Sequence, residues 1–208
     1  MNRKAHWDRI YASKTAEDVS WFQLTPATSL RLLEAANVGL SSCAIDIGGG
    51  DSRLVDHLLA KGLTCLTVLD VSAAALARVK ARLGPRQQIV NWVEADVTLD
   101  WSVPPVDVWH DRAVFHFLTD AVDRTAYVAR LKEIVKPGGA VIVATFALDG
   151  PEKCSGLPVM RYSAEGLAAE LGPGFTLLET VNEDHRTPAG VRQAFCYTRF
   201  RRSGNIEA

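Results

Sequence analysis

Three short apolar runs each carry an aspartate at or near their end: CAIDIG (43–48) at Asp46, LTCLTVLD (63–70) at Asp70 and IVNWVEAD (89–96) at Asp96. A carboxylate accepts hydrogen bonds and donates none, so such a set suits a ligand rich in hydroxyl and amino groups. Beside the first lies a triple-glycine turn, Gly48, Gly49 and Gly50, where the missing side chains let a ligand approach the backbone. Turns of this kind often cradle a pyrophosphate at a helix N-terminus, but that use needs G-x-G-x-x-G, and Arg53 stands at the third glycine position. Asp46 would also repel a phosphate by like charge. The ligand favoured by these residues has a nucleoside, positive charge and no phosphate, which describes S-adenosylmethionine. Asp70 would take the two ribose hydroxyls, and Asp96 the adenine amino group, with Val71 and Val97 beside them. One such aspartate alone would mean little, since strand-end aspartates often cap the next helix.

A fourth stretch, VDVWHDRAVFHFL, sets polar groups in an apolar context where a second reactant would approach. Asp111 is the first candidate for catalysis and also for a cofactor contact, because it could orient an acceptor amine. His116 is the second, as a base or a substrate contact. Arg112 could meet an acidic substrate group. Strand alternation turns His110 to the face opposite Asp111, which takes it off the list.

These residues need elements to position them. After Ser41 short strands alternate with amphipathic helices. Strands are expected at 43–48, 63–70, 89–96, 106–111 and 140–147, then at 175–181 and 192–200. Helices are expected at 51–62, 71–84 with Ser72 as N-cap, 120–135 stopped by KPGG, and 163–172. The alternation predicts an α/β fold: a largely parallel sheet with helices on both faces and ligands beyond the carboxyl ends of its strands. The last two strands have no helix between them and should form an antiparallel hairpin. Residues 1–40 read as two helices joined by DVSWFQLTP, packing across that carboxyl edge as a lid in the same domain as the 41–202 core. Residues 203–208 read as a flexible tail. Tyr11 and Trp21 would close over the cofactor, Phe22 would contact substrate, and Trp7 reads as structural packing.

DIGGGDS resembles the D-x-G-x-G-x-G motif of class I S-adenosylmethionine-dependent methyltransferases, with Ser52 in place of the last glycine. LDVS resembles their acidic ribose motif, EADV their adenine motif, and LKEIVKPGGAVIVATF the helix, turn and strand that follow the substrate region. The resemblance covers roughly residues 40 to 200. It implies a Rossmann-like seven-stranded mixed sheet of order 3-2-1-4-5-7-6, its last strand antiparallel. The flanks, HWDRIYASKTAEDVSWFQLTPATSLRLL and TPAGVRQAFCYTRFRR, resemble small bacterial relatives of the citrate synthase lysine methyltransferase. That likeness implies a substrate contact in the last hairpin, at Gln193, with Phe195 on the same face of its strand. The implied activity is methyl transfer to a protein lysine or a small molecule. A non-catalytic S-adenosylmethionine-binding scaffold is the alternative. An NAD(P)-dependent oxidoreductase of short-chain type is disfavoured, because no tyrosine here has a lysine four residues later.

Bulk properties bound these readings. The chain has 208 residues, 48% of them hydrophobic, and a formal net charge of -1. That is enough for one sizeable core and gives no general attraction to nucleic acid or to a membrane surface. Cys43, Cys65, Cys154 and Cys196 are widely spaced with no metal-binding pattern, and read as reduced, mostly buried thiols in a cytoplasmic protein with no metal.

Overall fold

Short runs of β-branched and aliphatic residues, buried on both faces, build the centre of the molecule. In the computed structural model, which describes residues 2–204, the first strands are Cys43–Ile47 (β1), Cys65–Asp70 (β2), Val90–Glu94 (β3), Val106–Arg112 (β4) and Val135–Phe146 (β5). Phe175–Arg186 (β6) and Arg192–Arg202 (β7) follow. Their order in the sheet is 3-2-1-4-5-7-6. The first five run parallel, and β7 pairs antiparallel with both β5 and β6. A two-residue ladder, Lys153–Cys154 on Leu157–Pro158, stands apart.

Alternation along each strand feeds two cores. On one face Ile45, Ile47, Trp109 and Val143 pack with Tyr127 and Leu131 of helix Ala121–Ile134 (α5) and Leu167 of helix Ala164–Leu171 (α6). On the other, Ala44, Val68, Val108 and Ile142 pack under three helices: Ala27–Ala35 (α2), Leu54–Ala60 (α3) and Ala73–Leu83 (α4). The even-numbered residues of β1 and β4 therefore face α2 and α3, and the odd-numbered ones face α5. This assignment decides which polar strand residues meet a ligand.

Local signals placed most helix ends. Ser72 caps α4, its Oγ accepting from Ala75 N at 3.2 Å, and Ser163 caps α6 from Gly166 N at 3.1 Å. α3 starts three residues later than the periodicity predicts. The turn claims those residues: Arg82 pairs with Asp51, and Ser52 Oγ accepts from Leu54 N at 3.0 Å. The KPGG segment ends α5 as expected, but 136–139 then loop out of β5, between the register pairs Val106–Val135 and Val108–Ala140. β6 continues through the polar run NEDHR to Arg186, well past its predicted end, because an edge strand buries only one face.

The cysteines correct an expectation. Cys43 and Cys65 are register partners at the starts of β1 and β2, with Cα atoms 4.6 Å apart, and they form a disulfide. Adjacent parallel strands bring together two cysteines that no sequence spacing connects. Cys154 and Cys196 are free and buried. Among the described residues, no helix is long and apolar enough to cross a membrane. The tail expected at 203–208 falls partly outside the described residues. Within them, Ser203 N donates to Gly174 O at 2.9 Å.

Candidate cofactor and acceptor site

Asp70, Asp96 and Gly48 meet at the carboxyl ends of the strands around a cavity with about 760 Å³ of unfilled space, part of it open to solvent, while Asp46 lies beside the same turn outside it. Gly48, Asp70, Val71, Asp96 and Val97 line it, together with Tyr11 and Trp21 from the N-terminal segment. The turn is strained for any residue but glycine. Gly48 has φ 62° and Gly50 φ 31°, and a Cβ on Gly50 would lie 2.7 Å from Asp70 Oδ2 and 2.8 Å from the Tyr11 hydroxyl.

Asp70 is almost fully buried and accepts from Ser72 N at 2.8 Å. Burial pushes its carboxyl up to about 7. The Asp46 and Asp8 charges add to this, while the Ser72 and Gly50 backbone N–H groups oppose it. Asp96 is more exposed. Burial pushes it up, but hydrogen bonds from Thr98 and Arg3 outweigh that and hold it below the usual carboxylate range.

The N-terminal segment is tied down at the same strand ends. Helix Arg3–Ser13 (α1) is capped by Asn2 and anchored through Asp8, which accepts from Ser72 Oγ at 2.7 Å. Lys4 meets Glu94 at 2.7 Å, and Arg3 bridges Asp96, at 3.1 Å, and Asp123. Sequence reasoning missed Arg3 and Asp8, whose partners are remote in the chain. It also read Trp7 as packing, yet Trp7 lines the cavity, with ring centroids 5.7 Å from Trp21 and 5.1 Å from Phe117. Trp7, Tyr11, Trp21 and Phe117 form an aromatic wall along it.

A second cavity adjoins the first at Gly48, Trp21 and Arg112, and is also lined by Gly49, Asp46, His110 and Ser29. His110, set aside on strand alternation, lines this second cavity. The alternation argument was right, but the cavity lies on the face of His110 and not on that of Asp111. His110 Nδ1 sits 2.7 Å from Asp46 Oδ1, and its Nε2 sits 2.9 Å from Ser29 Oγ. Arg112 donates to the Tyr197 hydroxyl at 2.8 Å and to Trp21 O at 3.0 Å, and stacks 4.5 Å from the Phe195 ring centroid.

Other candidates lie away from both cavities. Asp111 is fully buried toward α5. It accepts from Val114 N at 2.8 Å, Phe115 N at 3.1 Å and the Tyr127 hydroxyl at 2.7 Å. Burial raises it to about 6, against those bonds. Its geometry is that of a turn clamp, holding Ala113 at φ 72° so that residues 112–114 face the cavity. His116 is sealed between Phe117 and Phe146, and its Nδ1 accepts from Phe146 N at 3.3 Å. Burial and the Arg112 charge lower it to about 3, so the ring is neutral near pH 7. Gln193 is buried opposite His185 in the hairpin, and Phe22 is half-buried. Neither lines a cavity.

The fit to S-adenosylmethionine can be tested on two orphaned atoms. Asp46 Oδ2 and Arg112 Nη2 are buried and have no hydrogen-bond partner among the described residues. One is an acceptor and the other a donor, at a shared cavity beside the turn. They match the ammonium and carboxylate of a methionyl end, while Asp70 and Asp96 suit the adenosyl end.

Fold and site together point to a class: the chain has the sheet order and site layout of class I S-adenosylmethionine-dependent methyltransferases. Residues 45–141 match the family described as a methyltransferase domain. An uncharacterised methyltransferase of Mycobacterium tuberculosis is 32% identical over 107 residues, which is 51% of each chain, so this chain spans about half the length of that curated relative. EEF1A lysine methyltransferase 2 of Danio rerio is 24% identical over 86% of this chain and 77% of its own. Among solved structures, the N-methyltransferase NodS of Bradyrhizobium japonicum, in complex with S-adenosyl-L-homocysteine, aligns with a TM-score of 0.70 and 19% identity, over 94% of this chain and 97% of that one.

Proposed function

We propose that the protein transfers the methyl group of S-adenosylmethionine to a small-molecule acceptor that arrives uncharged or anionic. When bound, the cofactor supplies a methyl group on a sulfonium centre, already activated for in-line displacement. The chain's part is to orient the two partners and to exclude water. Asp70 would hold the ribose, Asp96 and Val97 the adenine, and Asp46 and Arg112 the amino-acid end. The aromatic wall would face the sulfonium with the negative faces of its rings.

The observation that carries the acceptor assignment is that Asp111 and His116, the candidate bases, are sealed away from both cavities. A lysine acceptor arrives protonated and needs a base to lose that charge. Here neither of those two groups reaches it. The likeness to the Danio rerio lysine methyltransferase favours the alternative, a protein lysine. Incubating the protein with methyl-labelled cofactor and a cell extract, then separating macromolecules from metabolites, decides between them. Label in the metabolite fraction supports the proposal, and label confined to protein overturns it.

A further inference from the structure

Asp46, His110 and Ser29 form one buried hydrogen-bonded chain across β1, β4 and α2, with relative exposures of 6%, 4% and 1%. A carboxylate can only accept, so the proton on His110 belongs on Nδ1, toward Asp46. Nε2 is then free to accept from the Ser29 hydroxyl. The chain gives each partner one defined role. Asp46 commits Oδ1 to His110, which leaves Oδ2, beside Gly49, as the unpaired oxygen of a residue that lines the cavity.

Ser29 sits on the helix that continues directly from the lid segment. That segment carries Trp21, which lines both cavities and whose carbonyl accepts from Arg112. The lid is gripped at two further points, where His185 Nε2 meets Ser20 O at 2.7 Å and Gln23 donates to Glu183 at 2.9 Å. Of these ties, the serine–histidine–aspartate chain is the one that ends on a carboxylate lining the second cavity.

We propose that His110 is a positioning residue that couples the cofactor's amino-acid end to the lid: it fixes Asp46 for the ammonium group and, through Ser29, holds α2 and the Trp21 segment closed. Occupation of Asp46 Oδ2 and docking of α2 then reinforce each other, since both depend on one imidazole orientation. This rests on S-adenosylmethionine being the cofactor.

The test uses the full chain with S-adenosylhomocysteine as probe, read by calorimetry and by amide hydrogen exchange over residues 19–36. In the wild type the probe should slow exchange in that segment. Ser29→Ala cuts the chain at its lid end with minimal loss of packing. It should bind the probe about three- to tenfold more weakly, the range for one neutral hydrogen bond, and the added protection of 19–36 should disappear. Asp46→Asn should lose about tenfold or more in affinity, because an amide replaces the charged acceptor. A purely structural serine would speed exchange with and without the probe alike. Undiminished probe-induced protection in Ser29→Ala overturns the coupling, and unchanged affinity in Asp46→Asn overturns the role of Oδ2. A wild type that does not bind the probe removes the cofactor premise. Binding that leaves 19–36 unprotected removes only the coupling.

Discussion

Asp70 offers a sharp perturbation, because its role in the site and its cost to the fold have opposite signs. Its carboxyl is pushed up to about 7, chiefly by burial, from the usual 3.8. The folded chain therefore keeps this proton across a window in which the unfolded chain has released it. Stability from this group is highest below about pH 4 and falls as the pH rises toward 7. About three pH units at roughly 1.4 kcal/mol each put the ceiling on that loss at about 4 kcal/mol. Asp70→Asn is neutral at every pH and can still accept from Ser72 N. Its stability relative to the wild type should be near zero at pH 4 and should grow to a few kcal/mol by pH 8. For a domain of this size that is a rise in Tm of several degrees. At pH 8, where the wild-type carboxyl is charged, the same variant should bind S-adenosylhomocysteine about tenfold or more weakly, having lost a charged acceptor for the ribose. Denaturant titrations from pH 4 to pH 8, paired with calorimetry, read both effects. A stability difference that is flat with pH, or an Asn variant less stable than the wild type at pH 8, would refute the burial argument.

Three further outcomes follow from the same contacts. Tyr127→Phe removes a donor to Asp111 and the acceptor of the Trp109 Nε1–H at 2.8 Å. It should cost about 1–3 kcal/mol in urea unfolding while leaving cofactor affinity within about twofold, as befits a turn clamp outside the cavity. Reducing the Cys43–Cys65 disulfide, which closes a 22-residue separation, should lower stability by about 2–4 kcal/mol through loop-closure entropy. It should not change cofactor affinity, since the bond lies at the opposite end of β1 and β2 from the cavity. Gly50→Ala should abolish measurable binding in a chain that still unfolds cooperatively, because the added methyl meets Asp70 and Tyr11.

The sheet order and the acids that line the cavities were legible because they rest on local signals: strand runs, caps, and a glycine turn flanked by a carboxylate. What escaped depends on which face of the sheet a ligand uses. Asp111 looked catalytic as a strand-end carboxylate, but odd-numbered residues of β4 face α5, where Tyr127 and two backbone N–H groups consume both its oxygens. His110, one residue earlier, faces the cavity for the same reason. Arg3 and Asp8 had no sequence signal, since their partners Asp96 and Ser72 are brought near only by the fold. The disulfide was hidden likewise, its cysteines meeting through the register of β1 and β2.

Competitive calorimetry tests the central claim most directly, that three strand-end aspartates and a glycine turn select a phosphate-free cationic nucleoside. The account predicts saturable binding of S-adenosylmethionine and S-adenosylhomocysteine at one shared site, and no heat from NAD. Tight binding of NAD, with neither S-adenosyl compound able to displace it, would contradict it.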